Sequence, residues 1–520
     1  MLRALSFHST KLARSLSSQS AGIKDGIVVG MYASHKLSDP QLPSSLQSKI
    51  VSEAQAMGYK AAAGSVQLVL SSDLKQHIAV VGLGTSDTAI DSEVVRMAVA
   101  NGIKQLKKSN TISKIHVCQM PCAHAAGEAA TLASYAFTGF KTEKKQGEGE
   151  ELSSALAIES SESNDAAKWE AGRTYAEAQN YARALMATPA NYMTPTIFAE
   201  RVHSDLGALP NVTVNVYDEQ WARDQRMGGL LAVSRGSDEP LQFVEIIYRG
   251  LSNEGPVDLA LVGKGITFDT GGYSLKLGKN MDLMKGDMGG GATVVAAMRA
   301  IAQLRLPVNI VATVPLCENM VSGRATKVSD VYTSRAGLTV EVMNTDAEGR
   351  VVLADALHYT VDVHCPRTVV DVATLTGAMV VALGEVYTGV FTPSPELWRR
   401  IQQASEVTDE PVWRMPLHDR WDAMLKSEIA DLSNIGCKGE AGACTAAAFL
   451  RRFVKDPATA TPAPTGAAMR DQNNDDESSP RWAHLDIAGP MESSSSDGYH
   501  HQGMSGRPTR LLIELAKQLA

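Results

Sequence analysis

The chain has 520 residues, 44% of them hydrophobic, which is enough for two ordinary domains with sizeable cores. Its 49 basic and 57 acidic residues leave a net charge of −8, so there is no basic footprint for general nucleic-acid binding. No stretch approaches the ~20 consecutive apolar residues of a membrane helix, so no membrane association is expected and a small-molecule or peptide partner is.

The first residues, "MLRALSFHSTKLARSLSSQSAG", carry Arg3, Lys11 and Arg14, many serines and no acidic residue before Asp25. That composition predicts a mitochondrial (matrix) transit peptide over 1–22; the alternative is a merely disordered basic tail on a cytoplasmic protein. Six cysteines without dense spacing make no disulfide framework and point to a reducing compartment. Cys118 and Cys122, in "CQMPC", lack the second pair that a zinc knuckle needs and read as buried thiols.

Residues 23–165 predict a smaller N-terminal α/β domain. "GIVVGMYA" is strand-like, "SSLQSKIVSEAQAMGY" helical, "HIAVVGLG" a strand and "DSEVVRMAVANGIKQLKK" an amphipathic helix. The "GLG" at 82–84 lacks a full GxGxxG run and reads as a plain strand-to-helix turn. The charged stretch 141–165 reads as a surface loop, and 166–194, closed by Pro189 and Pro195, as a connecting helix.

From 195 to 520 the alternation resumes, with strands at "VTVNVYD", "QFVEIIYRG", "VDLALVGKG" and "VNIVATVPL" and helical patterns such as "GATVVAAMRAIAQL" between them. Near-continuous apolar strands predict a central mixed, mostly parallel sheet covered by helices, so the fold class is α/β in two domains, the larger one C-terminal. The Pro-, Ala-, Asn- and Asp-rich segment 456–481 reads as a flexible surface insertion.

Chemistry gathers at the strand ends, where open α/β sheets bind ligands. "VDLALVGKGITFDTGGYSLK" runs from a strand into a glycine-punctuated loop with Lys264, Asp269 and Lys276. "MKGDMGGGATVVAAM" sets Asp287 ahead of three glycines and a helix, where it reads as a ligand or as an ordinary N-cap. "NTDAEGR" follows the strand "LTVEVMN" and precedes the helix "VVLADALHYTV". If its backbone stays extended, alternation puts Asp346, Glu348 and Arg350 on one face, and the two carboxylates repel unless a divalent cation lies between them. Four carboxylates against few cations imply more than one metal ion and a hydrolytic two-metal centre; each segment taken singly also suits a structural salt bridge.

"VGKGITFDTGG", "MKGDMGGGA", "NTDAEGR", "DVATLTGA" and "WAHLDIAGP" followed by "GMSGRPTR" resemble, in this order, the leucine aminopeptidase (cytosol aminopeptidase) family of metallopeptidases. The resemblance covers about residues 190–520. It implies that Lys264, Asp269, Asp287, Asp346 and Glu348 ligate two divalent ions, zinc or manganese, with Asp269 and Glu348 shared and Lys264 neutral. It further implies a cationic Lys276 that stabilises the oxyanion, and an Arg350 that holds a bicarbonate ion as proton shuttle.

Met284, Thr374 and Gly377, with the Leu375 backbone, would line a pocket for a leucine-like side chain. The implied activity is removal of the first residue from peptides with a free amino terminus, by a homohexamer. The alternative is a catalytically weak or inactive structural member of the same family. A two-metal phosphoesterase is disfavoured because the constellation has no histidine. Tyr273, where an aliphatic residue is common, and Gly291, where alanine is, depart from the family pattern without removing a ligand.

Overall fold

The structure, a computed structural model, describes residues 24–71, 76–85, 91–109, 112–142, 157–160, 165–251, 255–436, 438–454 and 480–520. The transit peptide at 1–22, most of the 141–165 stretch and most of the 456–481 insertion lie outside the described residues. The chain forms two compact units, Met1–Asn180 with Ser495–Gln502, and Tyr181–Ser494 with Gly503–Ala520.

In the first unit β1 (Lys24–Met31), β2 (Val66–Ser71), β3 (Gln76–Gly82), β4 (Ile112–Val117) and β5 (Ala157–Ser160) form a sheet of order β2-β3-β1-β4-β5. All neighbours are parallel except β2 against β3. The helix Ser92–Lys107 starts where the Asp91 carboxylate accepts the Glu93 N–H, and it carries Lys104 and Lys107 in its last turn. A Cβ at Gly82 would lie 2.0 Å from the Ala62 carbonyl oxygen, so backbone crowding accounts for that glycine without a nucleotide. Cys118 is a buried thiol pushed up by burial, while Cys122 is half-buried and accepts from Ser92 Oγ.

The second unit holds β6 (Val212–Tyr217), β7 (Gln242–Arg249), β8 (Leu259–Gly263), β9 (Gly265–Asp269), β10 (Asn309–Asn319), β11 (Val331–Thr333), β12 (Thr339–Glu341), β13 (Thr368–Ala373), β14 (Thr388–Phe391), β15 (Val412–Arg414), β16 (Leu432–Ser433) and β17 (Arg481–Asp486). Its main sheet runs β15-β14-β17-β13-β8-β10-β7-β6, with β9 also on β10. The centre, β17-β13-β8-β10, is parallel, whereas β14, β7 and β6 each run antiparallel to an inner neighbour.

Every residue of β8 and β13 is buried, as strands covered on both faces require. Each of Val369, Val370 and Val372 contributes roughly 1.5–3 kcal/mol by leaving water. Helices Gly289–Leu304 and Gly349–His364 pack on these strands. Because β8, β9, β10, β13 and β17 run the same way, Gly263, Asp269, Asn319, Ala373 and Asp486 all end at one edge. Among the described residues no helix is long and apolar enough to cross a membrane.

Candidate metal centre

The strand predicted to lead into a loop at Lys264 instead kinks there and resumes as β9, so Asp269 lies on a strand. β10 is eleven residues long and β8 five, which leaves the Leu316–Asn319 stretch of β10 free to pair with β9. The kink is fixed by backbone bonds from Lys264 N to Val372 O (3.0 Å) and from Gly291 N to Lys264 O (2.7 Å). It turns the Lys264 side chain to Asp287 Oδ2 (2.8 Å), Glu348 Oε1 (2.7 Å) and the Thr374 carbonyl (3.0 Å).

Asp287 does not cap the following helix. The N-cap of Gly289–Leu304 is Met288, and the Asp287 carboxylate accepts instead from Thr374 Oγ1 at 2.6 Å. Asp269 Oδ1 accepts from Gly271 N and Asn319 Nδ2, both at 2.8 Å, while Oδ2 faces Lys276 Nζ at 2.8 Å.

The heptad 344–350 does not stay extended, so alternation is not what brings its charges together. It turns at Thr345–Asp346, and Glu348, at φ −75 and ψ −35, is already the N-cap of helix Gly349–His364. The turn forms because Asn344 Oδ1 accepts the Asp346 N–H (2.8 Å) and Asn434 Nδ2 donates to the Asn344 carbonyl (2.6 Å). Thr345 stitches the turn to the 271–276 segment by donating to Gly271 O and accepting from Ser274 N, both at 2.7 Å. Lys276 Nζ thereby meets Asp346 Oδ1 at 2.5 Å. Gly349 makes room for the lysine, since a Cβ there would stand 2.6 Å from Lys264 Cε.

Asp269, Asp346 and Glu348 each offer an oxygen, and these oxygens lie within 4.8 Å of one another. Burial, then the Asp269 charge, pushes Glu348 up to about 8, and burial pushes Asp287 up to about 6 against the pull of Lys264. Asp346 is raised by burial and by Asp269. Burial also works against the Lys264 and Lys276 ammonium groups, but the surrounding carboxylates outweigh it and hold both above the ordinary lysine value. Too much negative charge is thus packed here, relieved partly by two lysines and partly by retained protons. Oxygen donors with an adjacent amine form a donor set that hard or borderline divalent cations accept, so the residues present fit a metal centre.

Arg350, the second residue of the helix Gly349–His364, is buried. Its Nη1 donates to the Asn434 carbonyl at 3.1 Å, its Nε has no partner among the described residues, and burial lowers it to about 10. Of the expected pocket residues, Thr374 is buried with its hydroxyl on Asp287, Met284 and Leu375 are half-buried, and Gly377 is exposed with open space where a Cβ would be. A Cβ at Gly286 would lie 2.8 Å from Met504 Sδ and 2.9 Å from Met491 Cε, so two further methionines crowd the turn that carries Met284. Asn319, Thr345, Asn434 and Asp486 carry no distinguishing signal in the sequence. Each is a short polar residue in or beside a turn, a pattern too common to stand out.

A carboxylate cluster with one buried and one partly exposed lysine, at the carboxyl edge of the parallel centre of an α/β sheet, defines a metal-dependent hydrolase class of site. Residues 180–513 match the Cytosol aminopeptidase family, catalytic domain, and residues 28–144 match the N-terminal domain of the same family. The chain belongs to the cytosol aminopeptidase family and is a metal-dependent aminopeptidase acting on peptides. It is 44% identical to a cytosol aminopeptidase of Xenopus tropicalis over 85% of this chain and 81% of that one. It is 41% identical to the Homo sapiens cytosol aminopeptidase over 96% and 94%. Among solved structures, the bottromycin maturation enzyme BotP, described also in complex with Mn, is similar at TM-score 0.78 and 30% identity, covering 95% of this chain and 99% of that one.

Proposed function

We propose that this aminopeptidase removes leucine-like amino-terminal residues with two divalent ions, zinc or manganese, which Lys264, Asp269, Asp287, Asp346 and Glu348 would hold. The observation that carries this reading is the convergence of Asp269, Asp346 and Glu348, with Asp287 and Lys264 extending the cluster. When bound, such ions polarise a peptide carbonyl and acidify a water.

The chain's own residues supply the rest. Lys264 gives up its ammonium proton before its Nζ can ligate, so metal uptake releases protons. Lys276, partly exposed beside Asp269 and Asp346, donates to the carbonyl oxygen as charge develops on it. Arg350, whose buried Nε–H has no partner among the described residues, would hold a bicarbonate ion, which would supply a proton-carrying group beside the site. A free α-amine is recognised at the carboxylate cluster, and a blocked amine loses that contact. Met284, Thr374, Leu375 and Gly377 form the first side-chain pocket, where flexible methionine suits leucine.

Assembly as a homohexamer is proposed from the family resemblance. Mitochondrial (matrix) location is proposed from residues 1–22, and the relatives' names favour the cytoplasmic alternative. The test is calorimetric titration of dialysed protein with Mn²⁺ in two buffers of different ionisation enthalpy. Two bound ions per chain with net proton release are expected. A single ion, or none, overturns the two-metal reading.

A further inference from the structure

Asp486 ends β17 beside Ala373, the last residue of β13, and is fully buried. Its Oδ1 accepts from Leu375 N (3.2 Å) and Ala488 N (3.1 Å), and its Oδ2 from Thr376 Oγ1 (2.7 Å). Thr376 in turn caps the helix Gly377–Leu383 by accepting the Met379 N–H at 3.1 Å. The residues after β13 are therefore divided between two tasks. Leu375 and Thr376 are tied to Asp486, while Thr374 turns to the carboxylate cluster, its hydroxyl on Asp287 Oδ1 and its carbonyl on Lys264 Nζ.

We propose that Asp486 is a positioning residue of this enzyme: by fixing the Leu375 backbone N–H and the Thr376 hydroxyl it sets Thr374, and through Thr374 it orients Asp287 and Lys264 for metal. The inference rests on the two-metal reading above. A buried carboxylate that accepts three donors dictates one path for the chain that supplies them, because every other path strands a buried donor. Groups that hold the ligands of a metal, rather than the metal itself, govern its affinity. The same segment carries the proposed pocket residues Thr374, Leu375 and Gly377, so one carboxylate sets both ion affinity and the seat of the leucine side chain.

The experiment compares the full chain with Asp486→Asn, which keeps the shape but replaces an acceptor by an amide N–H₂, and with Thr376→Val and Thr376→Ser. Mn²⁺ affinity by calorimetry, kcat and KM on leucine-p-nitroanilide at saturating Mn²⁺, and the unfolding midpoint are read for each. Expected for Asp486→Asn is a ~10–100-fold loss of Mn²⁺ affinity and a raised KM. Thr376→Val should move both in the same direction by less, Thr376→Ser should restore them, and the double variant should be non-additive because both act through one segment. If Asp486→Asn does not fold, the Thr376 pair decides the question.

A folded Asp486→Asn or Thr376→Val with wild-type Mn²⁺ affinity and KM, even at a lowered unfolding midpoint, reduces Asp486 to a loop support and overturns the inference while leaving the two-metal reading intact. Absence of Mn²⁺ binding by the wild-type chain overturns both.

Discussion

Replacing Glu348 by Gln changes how the stability of the metal-free protein depends on pH. In the folded chain burial and the Asp269 carboxylate raise Glu348 from 4.5 to about 8. Between those values the native state keeps a proton that the unfolded chain has released, and stability falls with pH wherever the native state binds more protons. The cost is absent below about pH 4.5 and complete above about pH 8. At ~1.4 kcal/mol per pKa unit, and with the charge shared among Asp269, Asp287 and two lysines, it is on the order of 3–5 kcal/mol.

Glutamine does not ionise, so the difference in urea midpoint between wild type and E348Q, measured in chelator from about pH 5 to about pH 8, traces this curve. The difference should shift in favour of the variant by that amount as pH rises. At saturating Mn²⁺ the order reverses, because the ionised carboxylate is the form an ion binds and binding to the native state stabilises it. A difference that stays flat with pH in chelator, or that moves in favour of the wild type, refutes the account of a charge-crowded site.

Other consequences are equally direct. Lys276→Ala should lower kcat by ~10²–10³ while Mn²⁺ content, read by elemental analysis, stays near wild type. N-acetylation of leucine-p-nitroanilide should cut its hydrolysis by more than ~100-fold, since the amine loses a charge-assisted contact in the site. Gly290→Ala would place a Cβ 2.0 Å from the Val372 carbonyl oxygen and force the helix Gly289–Leu304 away from β13. Its thermal midpoint should fall, with a loss of roughly 1–3 kcal/mol or more.

The long elements were legible because their patterns are repetitive. β1, β3, β7, β8 and β10 are apolar runs bounded by turn residues, and the helices Ser92–Lys107 and Gly289–Leu304 carry sustained helical periodicity with flanking signals. The carboxylates of the site were legible because charge in an apolar context is conspicuous. What the sequence did not display is how the charges meet. Glu348 and Asp346 converge through a turn that depends on Asn434, about ninety residues further along the chain, and such a bond leaves no local trace. β9 escaped notice because its pairing depends on the length of β10. The sequence around Asp287 also suits a helix cap, and the approach of Thr374 and Lys264 from two strand ends assigns its carboxylate elsewhere.

Whether these residues hold metal in order to cut peptides from the amino end is read from release of p-nitroaniline from leucine-p-nitroanilide by the purified chain with added Mn²⁺ or Zn²⁺, beside Asp346→Ala. Metal-dependent release in the wild type that Asp346→Ala abolishes is the predicted result. A folded, metal-loaded chain that releases nothing from leucine or any other aminoacyl substrate would contradict it and leave the site a structural one.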